Sequence, residues 1–162
     1  MAASRGRGLP FAVAALAALA TGALGAWLTV LSPWYYALRN PPWKPPDWLF
    51  GPAWTTIFTL AAIAGGLAWN GATSRSERFA IVAAFAVNIA LNLLWSGLFF
   101  RLHRPDWSLY EVGALWLSIV AMIVVVRRTS TPAAWMLAPY LAWVTFASAL
   151  NFAIVRLNAP FT

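Results

Sequence analysis

The 162-residue sequence predicts an all-α protein, an integral membrane bundle of five transmembrane helices with a long first loop rich in proline and tryptophan. Its composition is the first reason: 62% of the residues are hydrophobic and 9% are charged, whereas soluble domains are about 45–50% apolar and about 25% charged. The second reason is that the apolar stretches are continuous rather than alternating, which favours helices over a β-barrel. We therefore expect residues 1–162 to form a single transmembrane domain.

Five apolar stretches are long enough to cross a bilayer, for which roughly 20 residues suffice. The predicted spans are residues 9–31, 48–69, 78–101, 108–126 and 132–155. A cleaved signal peptide is the alternative for the first stretch, because it follows a short basic segment. Its apolar run is longer than the core of a typical signal, so we expect a retained helix.

Charge and missing residue types exclude several functions. The net charge is +7, but the basic residues stand singly or in pairs at the ends of apolar runs, as in loops that flank membrane helices. No nucleic-acid partner is therefore expected. There is no cysteine and one histidine, His103, which excludes disulfides, thiolate nucleophiles and a multi-histidine metal site. No Ser/His/Asp set, carboxylate pair or phosphate-binding glycine loop is present, so conventional catalysis is not indicated.

The first loop contains the most unusual stretch, Pro41–Trp54, which reads PPWKPPDWLFGPAW. Proline fixes φ and pushes the preceding residue towards extended geometry, so this loop is expected to be stiff and extended. Indole rings favour the membrane–water boundary. The loop is therefore either an interfacial connector, the interpretation that composition alone favours, or a preorganised lid over a pocket between the helices.

Two predicted spans each carry polar and aromatic residues on one helix face. Polar groups in lipid turn towards the bundle interior, so both faces are expected to provide interhelical hydrogen bonds or to line a pocket. The third-span face contains Asn88, Asn92, Trp95 and Phe99, and the fifth-span face contains Tyr140, Trp143, Ala147 and Asn151.

Three acidic residues lie at the ends of predicted spans. Glu111 is just inside the fourth span, and a carboxylate within a membrane is a candidate functional residue. The alternative, which we favour, is that Glu111 faces water or pairs with Arg101 or Arg104. Asp47 and Asp106 stand at helix starts, where N-capping and the helix dipole favour carboxylates.

Three segments, in the same order along the chain, resemble the TspO/MBR family, which includes the mitochondrial translocator protein. The similarity covers about residues 30 to 158. In the first loop it rests on Trp34–Tyr35, Leu38, Pro41, Trp43, Pro45–Pro46, Trp48, Phe50 and Trp54. In the third span it rests on Asn88, Asn92, Trp95 and Phe99–Phe100, and in the fifth on Pro139–Tyr140–Leu141, Trp143, Phe146–Ala147 and Leu150–Asn151.

The resemblance implies a commonly dimeric five-helix bundle with a pocket that opens towards the first loop. Family members bind tetrapyrroles such as protoporphyrin IX and haem, and in some cases cholesterol and synthetic ligands. Trp54 and Trp143 match the family tryptophans associated with porphyrin binding and breakdown, and they are the candidate catalytic residues if the protein is an enzyme. Tyr140 and Asn92 match pocket-lining positions.

The sequence and the resemblance together give a set of candidate ligand-binding residues. Arg39 and Lys44 are expected to meet the ligand carboxylates. No cofactor or metal is expected to be obligatory, and His103 is too peripheral to be an axial ligand. The full set is Trp43, Trp48, Phe50, Trp54, Asn92, Trp95, Tyr140, Trp143, Ala147 and Asn151.

The sequence departs from the family pattern at two positions. Asn40 stands where the family usually has lysine before the first loop proline, although Arg39 and Lys44 keep positive charge nearby. In the C-terminal cholesterol-recognition pattern Phe152 replaces the central tyrosine, so sterol binding is not expected.

Three functions fit these observations. The first is a membrane sensor or regulator that binds a tetrapyrrole; the alternatives are a light-dependent porphyrin-degrading enzyme and a transporter of porphyrins or small hydrophobic molecules. A homodimer is expected through helix faces with small residues, such as Ala80/Ala84 and Ala86/Ala90. The expected location is a membrane of the bacterial cell envelope.

Overall fold

The computed structural model describes residues 2–161, with side chains from Gly6 onwards. Five stretches of helix are long and apolar enough to cross a membrane, as predicted, and no strand occurs in the described residues. The chain is therefore a multi-pass integral membrane protein. Its α-helices are α1 (Ala2–Leu28), α2 (Pro33–Ala37), α3 (Phe50–Gly71), α4 (Arg75–Ser96), α5 (Pro105–Arg127), α6 (Thr131–Met136) and α7 (Ala138–Asn158).

Helix α1 packs closely along α3 because glycine lies at the crossing. A Cβ atom on Gly66 would overlap Cδ1 of the Phe11 ring, so glycine is needed for this close approach. Near the N-terminus of α1, the Asn70 side-chain amide donates to the Arg7 carbonyl at 3.0 Å. The N-terminal part of the first span is thus joined to the C-terminal part of α3.

The first loop is more ordered than an extended connector. It contains the short helix α2 and a 3₁₀ turn, Asp47–Leu49, which leads directly into α3. The prediction that Asp47 caps a helix is wrong: Pro46 holds the N-cap position and Asp47 is already helical. Its carboxylate instead accepts hydrogen bonds from Tyr35 and Lys44.

The start of α5 differs from the prediction in the same way. Arg104 occupies the N-cap position and makes no side-chain capping bond. Asp106 lies in the first turn, where a carboxylate still interacts favourably with the helix dipole. It forms an ion pair with Arg104, with an N–O distance of 2.5 Å.

Helix α4 has a well-defined beginning and an unusual end. Ser74 and Glu77 form a capping box at its start. At its other end the helix widens into a π-helical turn, Gly97–Arg101, in which the Leu102 N–H donates to the Gly97 carbonyl at 3.0 Å. This turn places Phe99 inside the protein with Phe100 partly buried beside it.

Helix α5 is central to the bundle and packs against α4, α6 and α7. Its buried face forms the core with residues of α3, α6 and α7. The predicted fifth span is two helices rather than one, since α6 ends and α7 begins around Leu137. Pro139 explains the break, because proline lacks the N–H needed to continue the helical ladder.

Candidate functional site

A cavity of about 480 Å³ lies under the first loop, between α1, α3, α4, α5 and α7. We call it the loop-side cavity. Six of the predicted site residues line it: Phe50, Trp54, Asn92, Trp95, Trp143 and Ala147. Because they come from α3, α4 and α7, the three segments that carry the sequence resemblance meet around one space.

Aromatic rings form much of the wall of the loop-side cavity. Trp54 stacks on Phe58, with ring centroids 5.3 Å apart, and Phe50 meets Trp143 edge to face at 5.6 Å. On the α4 side, the Trp95 ring lies edge to face with Phe100 at 6.1 Å. Rings held by such contacts keep a fixed orientation, so the wall offers preorganised flat apolar surfaces.

The end of the cavity nearest the first loop is polar. The Tyr35 hydroxyl donates to Asp47 Oδ1 at 2.8 Å, and Lys44 Nζ donates to the same oxygen at 2.5 Å. Burial and this hydrogen bond raise the pKa of the Tyr35 phenol above its ordinary value, so it remains a donor. Tyr35 and Asp47 line the cavity, whereas Lys44 is outside the lining. The carboxylate at this edge of the cavity is therefore already paired with a cation.

A chain of buried hydrogen bonds crosses the bundle deeper in the membrane. The Tyr140 hydroxyl accepts from Asn92 Nδ2 and donates to Asn88 Oδ1, both at 3.1 Å. Asn88 Nδ2 then donates to Ser118 Oγ at 2.9 Å. Tyr140 is 2% exposed. The two predicted polar faces therefore meet as interhelical hydrogen bonds between α4, α5 and α7.

Tyr140 and Asn151 lie away from the loop-side cavity. Tyr140 lines a second cavity, nearer the N-terminus of α1. Asn151 is 1% exposed and hydrogen-bonds Ser108, with 2.9 Å between the amide and Oγ. It therefore connects α7 to the first turn of α5 and does not line either cavity.

Trp43 and Trp48 also lie outside the cavity lining. Trp43 packs edge to face on Phe146, with ring centroids 5.9 Å apart, and is 49% exposed. Trp48 is 70% exposed. Such exposure at the end of the bundle is typical of indoles at a membrane boundary. The interpretation of the loop as an interfacial connector therefore fits Trp43 and Trp48. Phe50 and Trp54, in contrast, line the cavity.

The two predicted anion contacts are already engaged within the protein. Lys44 forms the ion pair with Asp47. Arg39 is bound through its backbone to Asn158, whose side chain accepts from the Arg39 N–H at 2.8 Å and donates to the Arg39 carbonyl at 2.9 Å. Neither cation lines the loop-side cavity.

Glu111 does not face water or pair with Arg101 or Arg104, and that prediction is wrong. Both of its carboxylate oxygens are buried and have no hydrogen-bond partner among the described residues. Arg104 pairs with Asp106 instead, and Arg101 lies over the Trp27 ring, 4.5 Å from the centroid. Because both arginines have other partners, neither of them pairs with the buried carboxylate of Glu111.

His103 lies in the turn before α5, with φ 54°. Its ring stacks on Trp34, with centroids 4.2 Å apart, and it lines neither cavity. No group of three or more His, Cys, Asp or Glu residues able to hold a metal occurs in the described part of the chain.

Sequence reasoning missed the contribution of α1 to the site. Gly22, Gly25, Ala26 and Thr29 form one side of the loop-side cavity. The available signal was the run of small residues at helical spacing, which allows space beside a helix. Such runs are common in an alanine-rich chain, so the signal was weak.

Comparison with known proteins gives the same family as the sequence motifs. The profile of the TspO/MBR family matches residues 12–157. Tryptophan-rich protein TspO of Chlorobaculum tepidum is 41% identical over 142 residues, which cover 86% of this chain and 90% of that protein. Tryptophan-rich protein TspO of Archaeoglobus fulgidus is 42% identical, covering 89% and 94%. The human Translocator protein is 31% identical, covering 77% and 75%.

Proposed function

Because the chain belongs to the TspO/MBR family of membrane proteins, we propose that it binds a tetrapyrrole such as protoporphyrin IX or haem in the loop-side cavity. In this proposal the protein is a sensor or regulator of porphyrin handling. The observation that carries it is the set of fixed aromatic rings, led by Trp54 and Trp143, around a cavity of about 480 Å³. This volume lies within the roughly 300–1,000 Å³ of small-molecule sites.

The chemistry of the wall suits a flat apolar ligand. A tetrapyrrole presents a large π face, and the rings of Trp54, Trp95 and Trp143 offer surfaces for stacked and edge-to-face contacts. Among the described residues the lining contains neither histidine nor methionine, and the hydroxyl of its Tyr35 donates to Asp47. Binding would therefore depend on stacking and on exclusion of water, with no iron ligation required.

The carboxylates of the ligand belong at the polar loop end. Lys44 forms an ion pair with Asp47, so a ligand propionate would have to compete with Asp47 for the ammonium group of Lys44. Arg101 is another cation at this end of the bundle: it packs on Trp27 and, unlike Lys44, has no carboxylate partner in the described residues. The Arg39–Asn158 hydrogen bonds hold the loop closed above this end.

A second candidate function is light-dependent porphyrin degradation. It is favoured by the presence of two indoles, Trp54 and Trp143, on the walls of one cavity. With light and oxygen, these rings could take part in electron transfer to or from a bound pigment. Conventional acid–base chemistry is not required for such a reaction.

The proposal is tested by an absorbance titration of the purified protein with protoporphyrin IX, first in the dark and then under illumination. The test variant is Trp54→Phe/Trp143→Phe, and the matched control is Trp48→Phe/Trp135→Phe, which changes two exposed indoles outside the cavity. Saturable binding that weakens only in the test variant supports the binding site. Absence of saturable binding to the unaltered protein refutes it.

The illuminated titration separates the two functions. Conversion of bound pigment to a new spectral species that requires both cavity indoles supports the enzyme. Bleaching at the rate of free pigment, with binding intact, supports the sensor.

A homodimer is also part of the proposal. Ala84 packs against the core of the bundle, whereas Ala86 and Ala90 are exposed on α4. Ala86 also lines the second cavity, whereas Ala90 lies outside the lining of both cavities, so Ala90 is the position of this pair at which a second copy would approach. Replacing Ala90 with phenylalanine should shift the mass of the particle in detergent towards the monomer.

A further inference from the structure

A second cavity, of about 490 Å³, lies between α1, α3 and α4 on the side away from the first loop. We call it the N-terminal cavity. Its lining is almost wholly apolar, with Ala14, Ala18, Ala62 and Phe85 among its walls. It also receives Trp69 near the end of α3. The proposed tetrapyrrole site does not account for this space.

The N-terminal cavity opens sideways to the bilayer. Leu9, Val13 and Val82 line it and are nonetheless 65%, 58% and 54% exposed. Along α1 it extends from Leu9 to Thr21, or roughly 18 Å at the helical rise per residue. One leaflet of the hydrocarbon core is about 15 Å thick. The cavity therefore has the depth and the access that a single lipid chain needs.

Two arginines mark the outer end of this cavity. The guanidinium of Arg78 lies over the ring of Trp69, 5.3 Å from its centroid, and Trp69 is part of the lining. The Arg7 backbone is held to Asn70, the residue after Trp69, by a hydrogen bond of 3.0 Å. Both arginine side chains are exposed, next to the residues that form the mouth.

The nearby acid, Glu77, forms no ion pair with these arginines in the described residues. The carboxylate of Glu77 lies at the start of α4, where it accepts hydrogen bonds from the Thr73 and Ser74 N–H groups at 2.8 and 3.0 Å. In the described residues the ion pairs are Lys44–Asp47 and Arg104–Asp106, both at the loop end. Arg7 and Arg78 outnumber Glu77, so the mouth of the N-terminal cavity carries a net positive charge.

We propose that the N-terminal cavity binds one acyl chain of an anionic phospholipid, with the headgroup phosphate at Arg7 and Arg78. Inside a bilayer an apolar groove does not prefer one lipid tail to another, because tails are as apolar as the groove. Selectivity must come from the headgroup, and a cation near the membrane surface contributes about fivefold in favour of an anionic lipid.

A lipid bound in the N-terminal cavity would affect the loop-side cavity, because the two cavities share a wall. Phe58 and Asn92 line both cavities. Asn92 is also held by Tyr140, and Phe58 stacks on Trp54. A lipid chain that ends against these side chains fixes the floor of the loop-side cavity.

The test is native mass spectrometry of the full-length protein released from detergent containing equal amounts of phosphatidylglycerol and phosphatidylcholine with identical chains. The unaltered protein should retain one phosphatidylglycerol in preference to phosphatidylcholine. Ala18→Phe fills the cavity and should abolish retention, whereas Ala15→Phe, on the exposed side of α1 and outside the lining, should not. Arg78→Gln should reduce the preference about fivefold.

Arg156→Gln, which removes the same charge at the other end of the bundle, is the control for Arg78→Gln and should leave the preference unchanged. Equal retention of the two lipids, or equal loss in Ala15→Phe and Ala18→Phe, overturns the proposal. If Ala18→Phe does not fold, Arg78→Gln against Arg156→Gln decides alone, since both residues are exposed.

Discussion

Asn158, the last residue of α7, holds Arg39 of the first loop by two hydrogen bonds in opposite directions. Its side-chain oxygen accepts from the Arg39 N–H at 2.8 Å, and its amide nitrogen donates to the Arg39 carbonyl at 2.9 Å. Residues 119 positions apart are thus joined where the loop covers the cavity. The C-terminal end of the bundle therefore controls how firmly the first loop is closed.

Asn158→Ala should loosen the first loop without unfolding the bundle. Two hydrogen bonds contribute about 1–3 kcal/mol together, so local opening should become at least about fivefold more frequent. Hydrogen exchange of loop amides around Arg39 measures this. Asn40→Ala is the control, since Asn40 donates only to Leu38 two residues away; equal exchange in the two variants would contradict the role given to Asn158.

Tyr35→Phe should destabilise the loop end of the bundle. The variant removes the hydroxyl that donates to Asp47 at 2.8 Å, and a hydrogen bond to a charged group contributes about 1.5–3 kcal/mol. Thermal unfolding in detergent measures the loss. Tyr36→Phe, at an exposed neighbour with no described side-chain hydrogen bond, should be neutral, and a similar loss there would count against this assignment.

Tyr140→Phe should cost more than the removal of one hydroxyl at the surface. It leaves Asn88 and Asn92 each short of a partner inside the membrane, where interhelical hydrogen bonds contribute about 0.6–2 kcal/mol each. Tyr110→Phe, at an exposed position on α5, is the matched control. A double-mutant cycle with Asn88→Ala should show coupling; additive losses would mean that the two side chains do not interact.

Gly66→Ala should destabilise the packing of α1 on α3 by about 1–3 kcal/mol, because the new methyl group would overlap the Phe11 ring. Gly65→Ala tests the adjacent position, where the methyl group would lie at 3.5 Å from Phe85, an ordinary contact. Thermal unfolding compares them. Adding Phe11→Leu should restore stability to Gly66→Ala, and failure of this rescue would point to a different cause.

Glu111→Met should stabilise the protein, by about 1–3 kcal/mol, since it removes a buried carboxyl that has no described partner and keeps a side chain of similar length. Glu77→Met should have the opposite effect and cost about 1 kcal/mol, because Glu77 closes the capping box of α4. Chemical or thermal unfolding of both variants shows whether the free energy of unfolding rises or falls. A loss in Glu111→Met would mean that Glu111 binds a group outside the described protein.

The spans could be predicted from the sequence because hydrophobic runs and lipid thickness fix them without tertiary information. The inward orientation of Asn88 and Asn92 was also accessible, since helical spacing places them on one face and lipid excludes polar groups, although their partner Tyr140 was not. Both inferences use local patterns only, and the structure agrees with both.

The wrong predictions concern the interaction partners of individual side chains, which depend on the three-dimensional arrangement of the helices. Asp47 was assigned to a helix cap, but α2 brings Tyr35 to it from twelve residues away. Glu111 was expected to face water or to pair with an arginine, yet its carboxylate is buried, Arg104 pairs with Asp106 and Arg101 packs on Trp27. In the same way, the small residues of α1 gave no sign of which helix they would face.

The π-helical turn at the end of α4 is a place where the chain could lose a residue without disturbing the bundle. Such a turn is an α-helix that holds one surplus residue. Removing a residue from 97–101 would restore ordinary helical winding, and α4 and α5 would keep their relative rotation because the wide turn itself holds the surplus residue. Neither flanking membrane helix would need to move along its axis. A single-residue deletion is therefore easiest to accommodate at this turn.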